Sequence, residues 1–147
     1  MTRISFFLIT ALFFTGCSTY FSISNEEFIK QVTHDQKKVE AQVSVYAAPV
    51  FFASRYNANS IQKILCRDKN GELVYLIPDQ NTELEITSKS TKDIVTMYFD
   101  TAFLEGSKLV GLRSRLITSM TREIEVTDIE KIEIYTEFPS TEKYTVQ

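Results

Sequence analysis

Apolar and polar side chains alternate along most of the chain after residue 38, which is the pattern of strands with one buried face. In the first such segment every second residue is apolar, namely Val39, Ala41, Val43 and Val45. The same period predicts further strands at Ile61–Arg67, Glu72–Ile77, Glu83–Thr87, Asp93–Asp100, Leu109–Leu112, Arg122–Val126 and Glu130–Glu137. Asn70-Gly71 favours a tight turn because both residue types tolerate positive φ, so we predict a hairpin there.

One segment has a helical pattern instead. Ser24-Asn25-Glu26-Glu27 is a capping box, in which a serine and a glutamate satisfy free backbone donors at a helix start. Phe28, Ile29 and Val32 then form one apolar stripe. We predict a short helix from Asn25 to Thr33 that must dock on the rest of the domain, because so short a helix is unstable alone.

One helix and seven or eight short strands with short connections predict a mainly β, antiparallel fold. We expect a small barrel or a strongly curved sheet, with a two-sheet β-sandwich as the alternative. A single β-rich domain is expected over residues 24–138, since 147 residues suit one hydrophobic core. The polar tail, residues 139–147, is expected to be frayed.

The first seventeen residues have a different pattern. Arg3 is followed by Ile4–Phe14, which is apolar except for Ser5 and Thr10. A bilayer-spanning helix needs about 20 apolar residues, so this stretch is too short to span. A basic start, a short apolar run and small residues at its end are typical of a signal peptide.

Phe14-Thr15-Gly16-Cys17 resembles the lipobox of bacterial lipoproteins, although Phe14 stands where leucine is usual. The resemblance implies that the Cys17 thiol carries a diacylglyceryl group and that a peptidase cuts between Gly16 and Cys17. Residues 1–16 are then the signal peptide, and residues 17–23 are the lipidated cysteine and a short tether. In lipoproteins of diderm bacteria an aspartate after the cysteine tends to retain the protein in the inner membrane. Ser18 occupies that position here, so we expect the outer membrane if the host has one.

Composition narrows the classes of partner. The hydrophobic fraction of 44% and the charged fraction of 24% are those of a globular protein. The formal net charge of -3 argues against nucleic acid, because phosphate binding needs a basic surplus. We predict a membrane contact through covalent lipid, an envelope partner, and no nucleic acid.

Few residues of this chain have catalytic or metal-binding chemistry. His34 is the single histidine and is expected in an exposed loop, while Cys66 lies in an apolar strand and is expected to be a buried structural thiol. Glutamates alternate with apolar residues in the last strands, which predicts a solvated acidic face (Glu123, Glu125, Glu133 and Glu137). We predict no enzymatic activity, no cofactor and no metal site.

The most unusual segment is Tyr46–Ala53, in which the Tyr46 hydroxyl is the single polar side-chain group. Pro49 cannot donate to a sheet ladder, so this segment is an edge strand or a break between two strands. The apolar side chains either pack in the core or form an exposed rim for a ligand or partner. The candidate binding residues on such a rim are Tyr46, Phe51, Phe52 and Tyr56.

Short motifs follow in the last fifty residues: Asp100-Thr101, Gly106, Gly111, Ser114-Arg115 and the segment Asp128–Ile134. Together they resemble a segment of small uncharacterised lipoproteins of Bacteroidetes-type bacteria, a resemblance that implies no particular activity. Asp100 is predicted to accept a hydrogen bond from Arg115 or to cap the following turn, and a structural ion pair with Arg115 is favoured over a ligand-binding pair. Gly111 is predicted to allow a β-bulge that curves the sheet.

These observations predict a lipid-anchored protein of the cell envelope whose β-rich domain acts in binding or scaffolding at the membrane surface. The alternative is a carrier or accessory domain that binds a small apolar ligand or a glycan in a closed apolar cavity.

Overall fold

The computed structural model describes residues 19–145 of the 147-residue chain. The predicted signal peptide, the cleavage site at Gly16 and the lipidation site at Cys17 lie outside the described residues.

The described chain forms one α-helix, α1 (Asn25–Asp35), and twelve strands. The first six strands are β1 (Thr19–Ile23), β2 (Val39–Ala47), β3 (Val50–Ala58), β4 (Ile64–Arg67), β5 (Leu73–Ile77) and β6 (Glu83–Ser88). They are followed by β7 (Ile94–Tyr98), β8 (Phe103–Glu105), β9 (Lys108–Leu112), β10 (Thr121–Glu125), β11 (Ile129–Thr136) and β12 (Ser140–Lys143). Short 3-10 helices lie at Phe99–Thr101 and Val126–Asp128.

The strands form three antiparallel sheets. The largest has seven strands in the order β12-β5-β4-β1-β11-β6-β7, the second has the order β10-β9-β8, and β2 pairs with β3 alone. The prediction of a mainly β, antiparallel fold with one helix is therefore confirmed. The barrel version of that prediction is wrong, because β12 and β7 end the large sheet without pairing to each other.

The core lies where the alternating pattern of the sequence is strongest. Ile86 faces Ile132 across β6 and β11, and Leu84 faces Ile134, and all four side chains are fully buried. Cross-strand apolar pairs of this kind are the unit of sheet stabilisation. The remaining large buried side chains surround them: Phe21, Phe28, Val32, Ile64, Leu76, Met97, Phe99, Leu109 and Ile129.

Helix α1 contributes to this core. Ser24 Oγ accepts a hydrogen bond from Glu27 N at 3.2 Å, so the predicted cap is formed. The helix buries Phe28 and Val32 and packs against β11 and β8. It ends at Asp35, two residues beyond the predicted end.

Two glutamine side chains fix the helix to backbone groups of neighbouring strands. Gln31 receives a hydrogen bond from Leu65 N at 2.8 Å and donates to Leu65 O at 3.0 Å. Gln36 binds Leu104 in the same way, at 2.8 Å and 3.4 Å. Each amide thus pairs with a strand as a peptide group would, which satisfies backbone groups of β4 and β8.

The hairpin predicted around Asn70-Gly71 is confirmed. Strands β4 and β5 pair antiparallel, and Gly71 has φ +80°. The Asp68 carboxylate accepts from Asn70 N at 2.8 Å and from Glu72 N at 2.9 Å, which closes the turn. The sequence predicts this hairpin because the Asn70-Gly71 turn and its two alternating segments lie within a few residues of each other.

The predicted tether is wrong for residues 19–23. These residues form β1, which lies between β4 and β11 inside the seven-stranded sheet. Phe21 pairs with Ile134 and is 3% exposed. This short segment becomes a strand because the neighbouring strands offer backbone partners for its peptide groups.

The prediction of a frayed tail is also wrong for Ser140–Lys143, which form β12. This strand pairs antiparallel with β5, and the Tyr144 ring lies 5.7 Å from the Tyr75 ring. Its own side chains are exposed, so backbone pairing on the edge of β5 holds it.

Gly111 does not make the predicted bulge. It lies in regular register opposite Arg122, whereas the register shift of the large sheet falls between Ile129 and Lys131. A Cβ at Gly111 would come within 2.5 Å of Met97 Sδ. The glycine therefore allows β9 to pack closely on Met97.

Candidate functional site

The β2–β3 hairpin is the part of the domain in which the unusual apolar segment is found. Its nine residue pairs run from Val39 opposite Ala58 to Ala47 opposite Val50, and Ala48 and Pro49 form the turn. The predicted break at Pro49 is thus the turn between two strands.

The outer part of the hairpin, residues 44–53, is exposed at every position, and we name it the hairpin tip. Tyr46 is 71% exposed, Phe51 63% and Phe52 54%. The core-packing interpretation of these three side chains is therefore wrong, and the exposed-rim interpretation has the right geometry. Large apolar groups that remain exposed together are typical of interaction surfaces.

Apolar side chains cover both faces of the hairpin tip. Tyr46 and Phe51 are directly opposite each other and share one face, while Val45 and Phe52 share the other. The charged residues nearest to the tip are Glu40 and Arg55, whose side chains lie 3.6 Å apart. The hairpin is therefore apolar on both faces at its tip and becomes charged further along its length.

The opposite end of the hairpin is fixed by a buried polar cluster, the hairpin root, formed by Tyr56, Asn59, Asp100 and Arg115. Asn59 N donates to Asp100 O at 2.6 Å, and its side-chain amide donates to Phe99 O at 2.8 Å. The Tyr56 hydroxyl donates to Asp100 Oδ2 at 2.9 Å. These bonds tie β3 to the 3-10 helix that follows β7.

The predicted ion pair lies at the centre of the hairpin root. Arg115 Nη2 donates to Asp100 Oδ1 at 2.7 Å, and Arg115 Nε donates to Oδ2 at 3.3 Å. The guanidinium also lies 3.7 Å from the centre of the Tyr98 ring, a cation–π arrangement. With side chains only 9% and 20% exposed, this pair is far better shielded from water than the surface pairs.

Tyr56 was predicted to join the exposed rim, and that prediction is wrong. Its side chain is only 8% exposed and belongs to the hairpin root. Burial first, and then the charge of Asp100, raise the pKa of Tyr56 above its ordinary value of 10.0. Its hydroxyl thus stays protonated and serves as a donor to the carboxylate.

The other residues of the C-terminal motifs also have structural partners. Thr101 Oγ1 accepts from Leu112 N at 2.8 Å, which ties the 3-10 helix to β9. The Asp128 carboxylate accepts from the hydroxyls of Ser88 and Ser90 at 2.6 Å and 3.0 Å, and these bonds, that of Ser88 first, lower its pKa. Thr101 and Asp128 therefore both hold loops to neighbouring parts of the fold.

A depression of about 410 Å3 lies beside the hairpin root. It is open to solvent, and its lining includes the charged side chains of Lys38, Arg55 and Glu105. A carrier of an apolar ligand needs an enclosed apolar site, so this depression does not favour the carrier alternative.

The two residues with the best nucleophile or ligand chemistry lie apart from these features. Cys66 is buried in β4, and its burial raises the pKa of the thiol to about 11, so the reactive thiolate is scarce at neutral pH. His34 lies on α1 rather than in the predicted loop, with its side chain 84% exposed and Nδ1 2.6 Å from Asp35. Among residues 19–145 no group of three or more histidine, cysteine, aspartate and glutamate side chains is placed to hold a metal ion.

The glutamates of the last strands are paired with lysines at the surface. Lys108 Nζ lies 2.6 Å from Glu123 and 3.8 Å from Glu125, and Lys131 lies 2.7 Å from Glu133. The predicted solvated acidic face is therefore interleaved with basic side chains.

Sequence reasoning missed Asn59 as part of the hairpin root, and it missed Tyr98, whose ring faces the Arg115 guanidinium. Asn59 lies in a polar stretch between two strands, and no period links it to residue 99. The nearest available signal was a pair of asparagines, Asn57 near the end of β3 and Asn59 just after it, because asparagine is favoured in fixed loops.

No helix among residues 19–145 is long and apolar enough to cross a membrane. Comparison with known proteins gave no match, whether to a protein-family model, to a curated protein or to a solved structure.

Proposed function

We propose that this chain is a lipid-anchored protein of the bacterial cell envelope, attached through Cys17, whose β domain acts in binding or scaffolding at the membrane surface. The proposed role is non-catalytic and needs no cofactor. The outer membrane is the proposed location in a diderm host, because Ser18 follows the cysteine.

The position of β1 defines how closely the anchor would hold the domain. Cys17 precedes the first residue of β1, Thr19, by two positions. Two extended residues span at most about 7 Å. A lipid on Cys17 would therefore place the sheet itself, rather than a loosely tethered body, against the head groups.

The observation that carries the binding role is the exposed hairpin tip. Tyr46, Phe51 and Phe52 are each more than half exposed, and they lie beside exposed Val45 and Val50 at the end of one hairpin. Exposed apolar groups that cluster, rather than lie scattered, indicate a contact surface. The hairpin root holds this surface in a fixed place on the domain.

Metabolic labelling with a palmitate analogue tests the anchor. We expect label on the wild-type chain and on the Cys66→Ala variant, and none on Cys17→Ser, because the Cys66 thiol is buried and Cys17 is the acceptor. Mass spectrometry of the mature protein should show an amino terminus at Cys17 that carries two or three acyl chains. Label retained by Cys17→Ser, or a mature amino terminus at another residue, would contradict the proposal.

A further inference from the structure

We propose that the hairpin tip inserts into the head-group region of the same bilayer leaflet that holds the lipid anchor. The inference rests on the proposed lipid anchor and adds a second, non-covalent membrane contact to it. The occupant of the exposed apolar surface is thus lipid.

The distribution of charge favours lipid over a protein groove. Apolar side chains lie on both faces of residues 44–53, and the first charged pair, Glu40 with Arg55, lies behind them. Proteins commonly recognise a partner segment through one strand edge or one apolar face. A bilayer surrounds both faces of a tip that enters it, so it matches a segment that is apolar all round and charged at its base.

The position of the start of β1 supports the same orientation. Tyr20 pairs with Tyr135, Tyr135 pairs with Glu83, and Glu83 pairs with Tyr98, so these four residues form one row across β1, β11, β6 and β7. The row spans three strand spacings, roughly 14 Å. The proposed anchor therefore precedes one end of this row.

The hairpin root lies at the other end of that row. Tyr98 leads directly into the 3-10 helix whose Asp100 binds Tyr56 and Asn59. The hairpin is therefore rooted at the same end of the sheet at which the lipid would hold the chain. A bilayer at this end is within reach of a nine-residue hairpin of about 30 Å.

Two further exposed aromatic residues mark this end of the sheet. Tyr20, the second residue of β1, is 45% exposed, and Phe138 is 76% exposed. Phe138 follows Thr136, which pairs with Thr19. Aromatic side chains are favoured at the membrane–water interface because they combine an apolar body with polarisable or polar edges.

Backbone polarity limits how deep the tip can go. The outer edges of a two-stranded ribbon carry unpaired peptide groups, which cannot be left in hydrocarbon without water. The segment from Ser44 to Ala47 is about 10 Å long, which matches the depth of interfacial segments. The tip is therefore inserted to the boundary of the head groups and acyl chains and not to the bilayer centre.

Tryptophan fluorescence tests this insertion, because the natural chain contains no tryptophan. Phe52→Trp places one probe on the tip. Ile94→Trp is the matched control, since Ile94 is 62% exposed and lies at the opposite end of β7 from Tyr98. Both full-length lipidated variants are reconstituted into phosphatidylcholine vesicles whose acyl chains carry bromine, a contact quencher, either near the head group or near the terminal methyl.

We expect strong quenching of the probe at position 52 by bromine near the head group, weaker quenching by bromine near the methyl, and none at position 94. Equal, weak quenching at both positions would overturn the proposal. A blue-shifted but unquenched probe at position 52 would also overturn it, because the tip would then be covered by protein, such as a second copy of the chain.

A second measurement separates this proposal from the lipid anchor. The full-length chain that carries both Phe52→Trp and Cys17→Ser is mixed with increasing amounts of the same vesicles. We expect quenching at position 52 to persist at high lipid, and Phe51→Ala with Val50→Ala to weaken this partitioning on the order of tenfold. In the chain that keeps Cys17, absent acylation with retained quenching at position 52 would refute only the anchor, whereas intact acylation without quenching would refute only the insertion.

Discussion

The two ends of the β2–β3 hairpin are stabilised in opposite ways. At the root, Tyr56 and Asn59 donate hydrogen bonds to Asp100, which is itself paired with Arg115. At the tip, Phe51 and Phe52 are more than half exposed. One hairpin thus combines a polar end that is buried with an apolar end that faces solvent.

Because the buried end is polar and the exposed end is apolar, the residues that stabilise the fold are different from those available for binding. Buried polar groups must be satisfied by partners, so the root is sensitive to the loss of any one member. Exposed apolar groups contribute little to folding, so the tip is free to serve a contact. Substitutions at the two ends should therefore have opposite effects on stability and on membrane contact.

Among substitutions in the hairpin root, the largest loss of stability is expected from Asp100→Ala. It leaves the Arg115 guanidinium and the Tyr56 hydroxyl without their shared acceptor, and an unpaired buried charge costs about 3 kcal/mol of unfolding free energy. The measurement is urea denaturation. The control is Glu83→Ala, which removes the partner of Arg113. The Arg113 side chain is 43% exposed, against 9% for Arg115, so this loss should be less than about 1 kcal/mol. Equal losses in the two variants would mean that the root is not a buried pair.

Gly111→Ala should cost about 2 kcal/mol, because the new Cβ would overlap the Met97 side chain beneath the root. Thermal and urea unfolding measure the loss. Met97→Ala should relieve the overlap, so the double variant should lose less stability than the sum of the two single variants. Simple additivity would show that the close packing of β9 on Met97 carries no strain.

Tyr56→Phe should cost about 1 kcal/mol at neutral pH, because the hydroxyl donates to Asp100. Tyr46→Phe, the same change at the tip, is the matched control and should have no measurable effect. The folded-state pKa of Tyr56 is raised, so its contribution is present below pH 10 and is lost as the pH rises through the folded-state value. The cost of Tyr56→Phe should therefore shrink above pH 10, and a constant cost would contradict this assignment.

The smallest effect on stability is expected from combined Phe51→Ala and Phe52→Ala, within about 0.5 kcal/mol. The same double variant should lose the proposed membrane contact of the tip. Phe28→Ala is the control for a buried phenylalanine and should cost about 3 kcal/mol or more. A large loss of stability in the double variant would assign the tip to the core.

The elements predicted well are those whose signals are local. The β4–β5 hairpin follows from Asn70-Gly71 between two alternating segments, and α1 follows from the Ser24 cap and the Phe28 stripe. By contrast, β1 and β12 were missed because each is held mainly by backbone pairing with strands far away in sequence. The residues within such a segment do not show which distant strands it will pair with.

The candidate site divides in the same way. The uncharged stretch of Tyr46–Ala53 identified the tip, and its exposure was one of two interpretations that the sequence allowed. The pairing of Asp100 with Arg115 was also predicted. That Tyr56 belongs with this pair was not predictable, because the alternation places Tyr56 on one face of β3 without saying what covers that face.

The sequence by itself determined the mainly antiparallel β fold, the start of the helix and the tight turn at Gly71, because side-chain periodicity, capping and φ preferences act over a few residues. The tertiary structure decided that β1 lies inside the sheet, that the barrel stays open and that Tyr56 is buried while Phe51 is exposed. These outcomes depend on which distant backbone edges and side chains meet, and that is set by the packing of the whole domain.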